Sequence, residues 1–167
     1  MEIHEPIHLL TATAASAVLV AAALFDIKAR RIPNWAVLTI LTLFAVSTAV
    51  SGGAGLLSGL GAAAIAFVVT YGLYAFGIVG AGDAKLFSAV ALFAGLSNLA
   101  AFSLATVLAG GLIAAAILAA QPRHVLALIQ TRNFKHQGRG VPYGVAIAAG
   151  GLLTLWGAAD NLIGLVG

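Results

Sequence analysis

The chain has 167 residues, of which 62% are hydrophobic and only 8% are charged. Soluble domains are about one quarter charged, so this composition excludes an ordinary soluble protein and predicts an all-α, polytopic integral membrane protein. The lack of cysteine excludes disulfides, a thiolate zinc site and a cysteine nucleophile, and the net charge of +3 is too small and too dispersed to suggest nucleic-acid binding.

Apolar stretches follow one another along the whole chain, and a membrane-spanning helix needs about 20 such residues. They predict transmembrane helices at 7–25, 35–51, 55–78, 84–97, 99–120 and 143–164. The fourth and fifth are separated at Ser97-Asn98, because an unbroken helix over 84–120 would be roughly 55 Å long at ~1.5 Å per residue, too long for one crossing. Residues 1–167 are therefore predicted to form a single bundle of about six transmembrane helices.

The basic residues predict how this bundle is oriented. With six crossings, all eight Lys and Arg fall on one face of the membrane, in the links after the first, third and fifth helices. Such residues mark the cytoplasmic face. Both termini are therefore predicted to lie outside, on the face of the membrane away from the cytoplasm.

Two acidic residues, Asp26 and Asp83, are the only ones between Glu5 and Asp160. Asp26 ends the first apolar stretch and Asp83 precedes the fourth, so the predicted topology places both at the cytoplasmic edge of the membrane. Carboxylates at such places are costly and are usually functional or paired. Two carboxylates that share one proton can hydrolyse a peptide bond, since the ionised one activates water while the protonated one polarises the carbonyl.

Each aspartate also has a simpler interpretation. A lone aspartate at a helix end is more often a helix cap or a marker of topology than a catalyst. The same acids could bind protons or cations in a small transporter or channel, although a proton relay would favour acids near the middle of the bilayer in broken helices. A catalytically inactive structural subunit is a third alternative.

The residues around Asp83 are candidates for shaping its site. Gly80 and Gly82 lack a β-carbon, so the backbone could turn sharply and approach a substrate strand closely. They would place Asp83 at the start of a helix. Lys85 could tune Asp83 or act as a charge anchor at the membrane surface.

Two further motifs could simply begin helices. Pro33 and Asn34 precede the second apolar stretch, and proline is well tolerated in the first turn of a helix. Pro142, Tyr143 and Gly144 stand at the start of the last one, where Tyr143 would lie at the membrane interface.

Taken together, three motifs follow one another along nearly the whole chain. They are Asp26 with Ile32-Pro33-Asn34, then Gly80-Ala81-Gly82-Asp83-Ala84-Lys85-Leu86, then Val141-Pro142-Tyr143-Gly144-Val145-Ala146. This order and separation resemble the type IV prepilin peptidases, which are membrane aspartyl proteases of the Gly-x-Gly-Asp kind. The resemblance implies that Asp26 and Asp83 are catalytic. It implies that substrate is bound, or the site shaped, by Gly80, Gly82, Lys85, Pro33, Asn34, Pro142, Tyr143 and Gly144.

The resemblance also implies a substrate and a location. The expected reaction is removal of a short cytoplasmic leader from prepilins or pseudopilins at the bacterial inner membrane, without a metal or other cofactor. The expected partners are that precursor and the lipid bilayer, with no nucleic acid; a homo-oligomer stays open. Larger members carry a cysteine-rich cytoplasmic region and also methylate the pilin, so this cysteine-free chain is expected to belong to the short tight-adherence, or Flp-type, branch.

Overall fold

The computed structural model describes the backbone of residues 4–120 and 143–157. Among these residues it describes the side chains from residue 9 onward. Its helices are α1 (His4–Ala29), α2 (Asn34–Val50), α3 (Leu56–Ala75), α4 (Ala81–Ala120) and α5 (Tyr143–Leu155). The predicted all-α architecture is confirmed for these residues, none of which forms a strand.

Three of the helices are long and apolar enough to cross a membrane. They are the Leu9–Ala29 part of α1, all of α3, and α4. The helices α2 and α5 are apolar but shorter. A polytopic membrane protein is therefore supported, while the six crossings and the outer position of both termini stay predictions.

Helix α4 is two helices joined at a sharp bend. Gly95 has φ 64° and ψ 179°, a backbone conformation that is open almost only to glycine. Phe87 and Phe102 would lie about 22 Å apart on a straight helix at ~1.5 Å per residue, yet their rings stack with centroids 4.6 Å apart. The chain therefore reverses at Gly95, and a first arm (81–94) packs against a second arm (96–120).

The break predicted at Ser97-Asn98 was wrong in position, because the reversal depends on the backbone of Gly95 and not on polar side chains. Both Ser97 and Asn98 lie within the second arm. The N–H of Leu96, at the start of that arm, donates to the Ser58 hydroxyl oxygen of α3 at 2.9 Å. This bond satisfies one of the backbone groups that the bend would otherwise leave without a partner.

Other predicted boundaries also move. The first helix, predicted over 7–25, extends to Ala29, so Asp26 lies inside its last turns. It stops before Arg30, which has φ 52°, and before Pro33, which disfavours helix in the residue that precedes it. The predicted loop over 80–85 is mostly helical, because α4 begins at Ala81. The last helix, predicted to reach 164, ends at Leu155 and is followed by Gly157 with φ +70°, and 158–167 lie outside the described residues.

The bundle is centred on α4, which packs against α2, α3 and α5, while α1 packs against α2 and α5. Leu19, Leu86, Phe102 and Ile147 are among its fully buried side chains. A β-carbon on Gly151 would lie 2.9 Å from Leu19 of α1, which shows how closely α5 approaches its neighbours. Such small residues allow close packing of helices in lipid, and this packing holds the end of α1 beside the starts of α4 and α5.

We predict that Gly95→Ala lowers the free energy of unfolding by about 1–3 kcal/mol, the usual cost of a sparsely populated backbone conformation. The added β-carbon would also lie 2.9 Å from the Ser58 hydroxyl oxygen. The measurement is denaturant-induced unfolding in detergent micelles. Gly72→Ala is the matched control, since Gly72 is inside α3 and an added β-carbon there meets no atom within 4 Å; an equal loss in both variants would contradict the prediction.

Candidate active site

Asp26 is a buried carboxylate held by a distant part of the chain. It lies in the last turns of α1 and is only 6% exposed. Its Oδ2 accepts the backbone N–H of Gly144 at 2.8 Å. Gly144 is in the first turn of α5, where N–H groups have no partner within their own helix. The start of α5 therefore supplies the hydrogen bond that a buried carboxylate requires.

The close approach of α5 to Asp26 depends on the small size of Gly144. A β-carbon at this position would lie 2.9 Å from both Cβ and Oδ2 of Asp26, which is closer than real β-carbons come. Gly144 is itself buried. It thus has a specific role beyond beginning the helix, which is to place its own N–H against the carboxylate.

Asp83 is held by the segment that immediately precedes it. It lies in the first turn of α4 and is half-buried, and its Oδ2 accepts the N–H of Gly80 at 3.3 Å. A side chain in the third helical position that bonds back to the N–H just before the helix is one half of a capping box. The structure therefore agrees with the helix-cap interpretation of Asp83, and this bond holds the carboxylate at the start of α4.

The two aspartates line one cavity of about 310 Å³, and they are close enough to interact electrostatically. The cavity lies between the end of α1, the link to α2 and the start of α4. Its remaining lining residues are Arg30, Arg31, Ile32, Gly80, Ala81 and Gly82. We call it the aspartate cavity. The structure thus brings to one cavity two carboxylates that are separated along the chain by the whole of α2 and α3.

Gly82 permits this convergence. A β-carbon there would lie 3.2 Å from the β-carbon of Ile32, so the missing side chain lets the start of α4 approach the link after α1. Neither Gly80 nor Gly82 has a positive φ; the nearest glycine that does is Gly77. These two positions therefore do not need glycine for a left-handed backbone, and the structure gives both of them close contacts inside the site.

The other candidate residues that the structure describes do not line the aspartate cavity. Pro33 is the N-cap of α2 and Asn34 its first residue, and neither lines the aspartate cavity. Lys85 is exposed and lines a groove between α2, α3 and α4, because a residue two positions after Asp83 points to the opposite side of a helix. Tyr143 lines a second cavity, described below, and Pro142 lies outside the described residues.

Sequence reasoning missed two features of the site. Arg30 and Arg31 line the aspartate cavity, and a helical spacing of four residues from Asp26 could have indicated Arg30. The second feature is an apolar cavity of about 240 Å³ between α3, both arms of α4 and α5, which Asp83 also lines. Its residues come from four separate segments, so no local pattern indicates it.

Within the part of the chain that the structure describes, no three His, Asp or Glu side chains gather in one place. The chemistry that these residues themselves support is proton transfer between two neighbouring carboxylates and a substrate or water in the aspartate cavity.

Comparison with known proteins identifies one family. The family model for type IV leader peptidases matches residues 13–115, a range that includes both aspartates, all of α2 and α3, and most of α4. No curated protein and no solved structure matches the chain.

We predict that Gly144→Ala lowers the free energy of unfolding by about 1–3 kcal/mol, because it crowds the site and lengthens the bond to a buried carboxylate. Unfolding in detergent measures the loss. Gly111→Ala is the control, since an added β-carbon at that position in the second arm of α4 meets no atom within 4 Å. A Gly144→Ala variant as stable as the control would show that α5 does not hold Asp26 as described.

Proposed function

Since this chain belongs to the type IV leader peptidase family, we propose that it is an aspartyl endopeptidase that removes the leader from Flp-type prepilins and pseudopilins. The observation that carries the proposal is the aspartate cavity, which is lined by Asp26 from the last turns of α1 and by Asp83 from the first turn of α4. The proposed location is the inner membrane of a bacterium, with the cavity at the cytoplasmic face.

The reaction needs the two carboxylates and one shared proton. The ionised carboxylate takes a proton from water as the water oxygen bonds to the scissile carbonyl carbon, and the protonated carboxyl gives its proton to the carbonyl oxygen. The first carboxyl then protonates the amide nitrogen, the second takes back a proton from the tetrahedral carbon's hydroxyl, and the C–N bond breaks. The pair ends with one proton, as it began.

The hydrogen bonds to the two aspartates support this mechanism, because they hold both carboxylates in position. Asp26 is held by the N–H of Gly144, and Asp83 by the N–H of Gly80. Both donors are backbone groups at the starts of helices, so they keep their place when the substrate binds. Groups that are already in position contribute to catalysis because no reorganisation is needed during the reaction.

The place of the aspartates along their helices fits a substrate that lies partly in the membrane. A prepilin-like precursor has a short polar leader, a small residue before the scissile bond, and then a long apolar helix. If such a precursor inserts with its leader in the cytoplasm, the scissile bond lies at the membrane boundary. Asp26 near the end of α1 and Asp83 at the start of α4 would lie at that depth.

The leader of such precursors is basic, and so is the predicted cytoplasmic face of this protein, which carries all eight Lys and Arg. Electrostatic steering over long distances would then oppose binding. Apolar contacts with the part of the precursor that follows the leader must therefore supply much of the affinity.

Family membership favours a peptidase over a transporter or channel. The position of the acids agrees with this preference, since both lie near helix ends and not in the middle of a span. A catalytically inactive subunit of pilus assembly would not need two carboxylates that meet in one cavity. The Flp-type assignment is supported by the lack of cysteine, which leaves this chain without the thiolate metal site of the larger methylating members.

We predict that Asp26→Asn and Asp83→Asn each abolish leader removal, because the amide can neither hold nor transfer the shared proton. The measurement is cleavage of a Flp-type precursor that is reconstituted with the purified protein in liposomes. Lys28→Gln is the matched control, as it changes a charge in the last turn of α1 at a residue that does not line the aspartate cavity, and it should retain cleavage.

The unfolding behaviour of each asparagine variant in detergent should remain close to that of the wild type, so that loss of cleavage is separated from loss of fold. Full cleavage by either asparagine variant would rule out the dyad. A wild-type protein that leaves every precursor intact would rule out the peptidase.

A further inference from the structure

Arg31 is a charged side chain at the aspartate cavity that takes no part in the proton transfers of the proposed reaction. It lies in the link 30–33 between α1 and α2, is exposed, and lines the cavity together with Arg30. Within the described part of the chain, Arg31 forms no ion pair with either aspartate. Its guanidinium is therefore available to an anionic group that enters the cavity with a substrate.

The charges that line the cavity do not cancel during the proposed reaction. Asp26 and Asp83 carry one negative charge between them while they share a proton. Arg30 and Arg31 each carry a positive charge, because arginine is not deprotonated in proteins. One guanidinium is enough to balance the pair of aspartates, so the other can bind a further anion. A carboxylate suits it best, since a guanidinium can hold a carboxylate through two parallel hydrogen bonds.

The place of the link 30–33 indicates which part of a substrate Arg31 would meet. The link follows the end of α1 and thus lies beyond the apolar part of that helix, on the side proposed for the leader. It begins about 6 Å past Asp26 along the helix axis, at ~1.5 Å per residue. An extended peptide advances ~3.3 Å per residue. A scissile bond held at Asp26 would therefore place the second residue before the bond beside the link.

Basic residues at a membrane edge also have a simpler role, which is to contact lipid headgroups and fix the topology. Lys28 fits this role, because it is exposed in the last turn of α1 and does not line the aspartate cavity. Arg31 differs from Lys28 in lining the cavity. Two cations from the same short stretch of chain can therefore be compared, one at the site and one away from it.

We propose that Arg31 binds an acidic side chain at the second residue before the scissile bond, so that this protein favours leaders with Asp or Glu at that place. This inference rests on the proposed peptidase function and names a feature of its substrate. A leader that is basic as a whole can still carry this one acid. Its contact with Arg31 would supply a local attraction where the long-range repulsion between leader and protein opposes binding.

The test uses the full chain in liposomes of neutral phospholipid and precursors that differ only in the second residue before the scissile bond, which is Glu, Gln or Lys. The wild type should cleave the Glu precursor with a kcat/KM about threefold higher than the Gln precursor and about tenfold higher than the Lys precursor, which Arg31 repels. These factors are moderate because ion pairs of exposed side chains are weak. In Arg31→Gln the ratio of Glu to Lys should fall towards one, and in Arg31→Glu it should reverse. Lys28→Gln should keep the wild-type ratio.

A fourth precursor separates a contact with Arg31 from a general effect of net charge. It has Gln at the second residue before the bond and carries the Glu at least six residues before the bond. In an extended leader this Glu is about 20 Å from the bond at ~3.3 Å per residue, well beyond the screening length of ~8 Å at 0.15 M salt. The fourth precursor should be cleaved like the Gln precursor. Cleavage as fast as that of the Glu precursor would overturn the contact.

Because each ratio is taken within one variant, a smaller folded fraction of that variant cancels out. If the wild type cleaves but shows no preference for Glu, or if Arg31→Gln keeps the wild-type preference, the role of Arg31 is overturned while the peptidase stays in place. Failure of the wild type to cleave any precursor would overturn both proposals.

Discussion

The site depends on three chain segments that converge where two residues lack side chains. Gly144 brings the start of α5 against Asp26 and donates the hydrogen bond that this buried carboxylate needs. Gly82 brings the start of α4 against Ile32, in the link that follows Asp26. Without these two approaches, Asp26 and Asp83 would belong to separate helix ends and would not line one cavity. The close packing of the helices in the bundle holds these three segments in place.

The bend at Gly95 likewise depends on a glycine, and it brings two distant parts of the chain together in the rest of the bundle. It folds α4 back on itself so that Phe87 stacks on Phe102, and it places the second arm beside α3 and α5. The apolar cavity exists only because of this reversal, since its walls come from both arms. Asp83 at the start of the first arm therefore lines a polar space on one side and an apolar space on the other.

The sequence predicts those parts of the fold that are decided locally. The apolar stretches predict the helices, and the isolation of Asp26 and Asp83 in such a chain predicts the two main candidates. The features that it does not predict depend on contacts between distant segments. Ser97-Asn98 looks like a break because both residues are polar, whereas Gly95 makes the turn through a backbone conformation that composition does not reveal. Gly80 and Gly82 suggest a tight turn that a substrate could approach, whereas in the structure they pack closely against Asp83 and Ile32. Lys85 is close to Asp83 in sequence, yet helical geometry points it to another side of α4.

The central claim is that Asp26 and Asp83 share one site, and the cysteine-free sequence allows a direct test of their proximity. Cysteines are introduced at both positions, Asp26→Cys and Asp83→Cys, and treated in liposomes with a thiol-specific crosslinker of short span. If both residues line one site, an intramolecular crosslink should form between these two helix ends, and proteolysis followed by mass spectrometry would detect it. The pair Asp26→Cys and Lys85→Cys should give much less, because position 85 faces a different groove. Equal crosslinking of both pairs, or crosslinking of the second pair alone, would contradict a shared aspartate site.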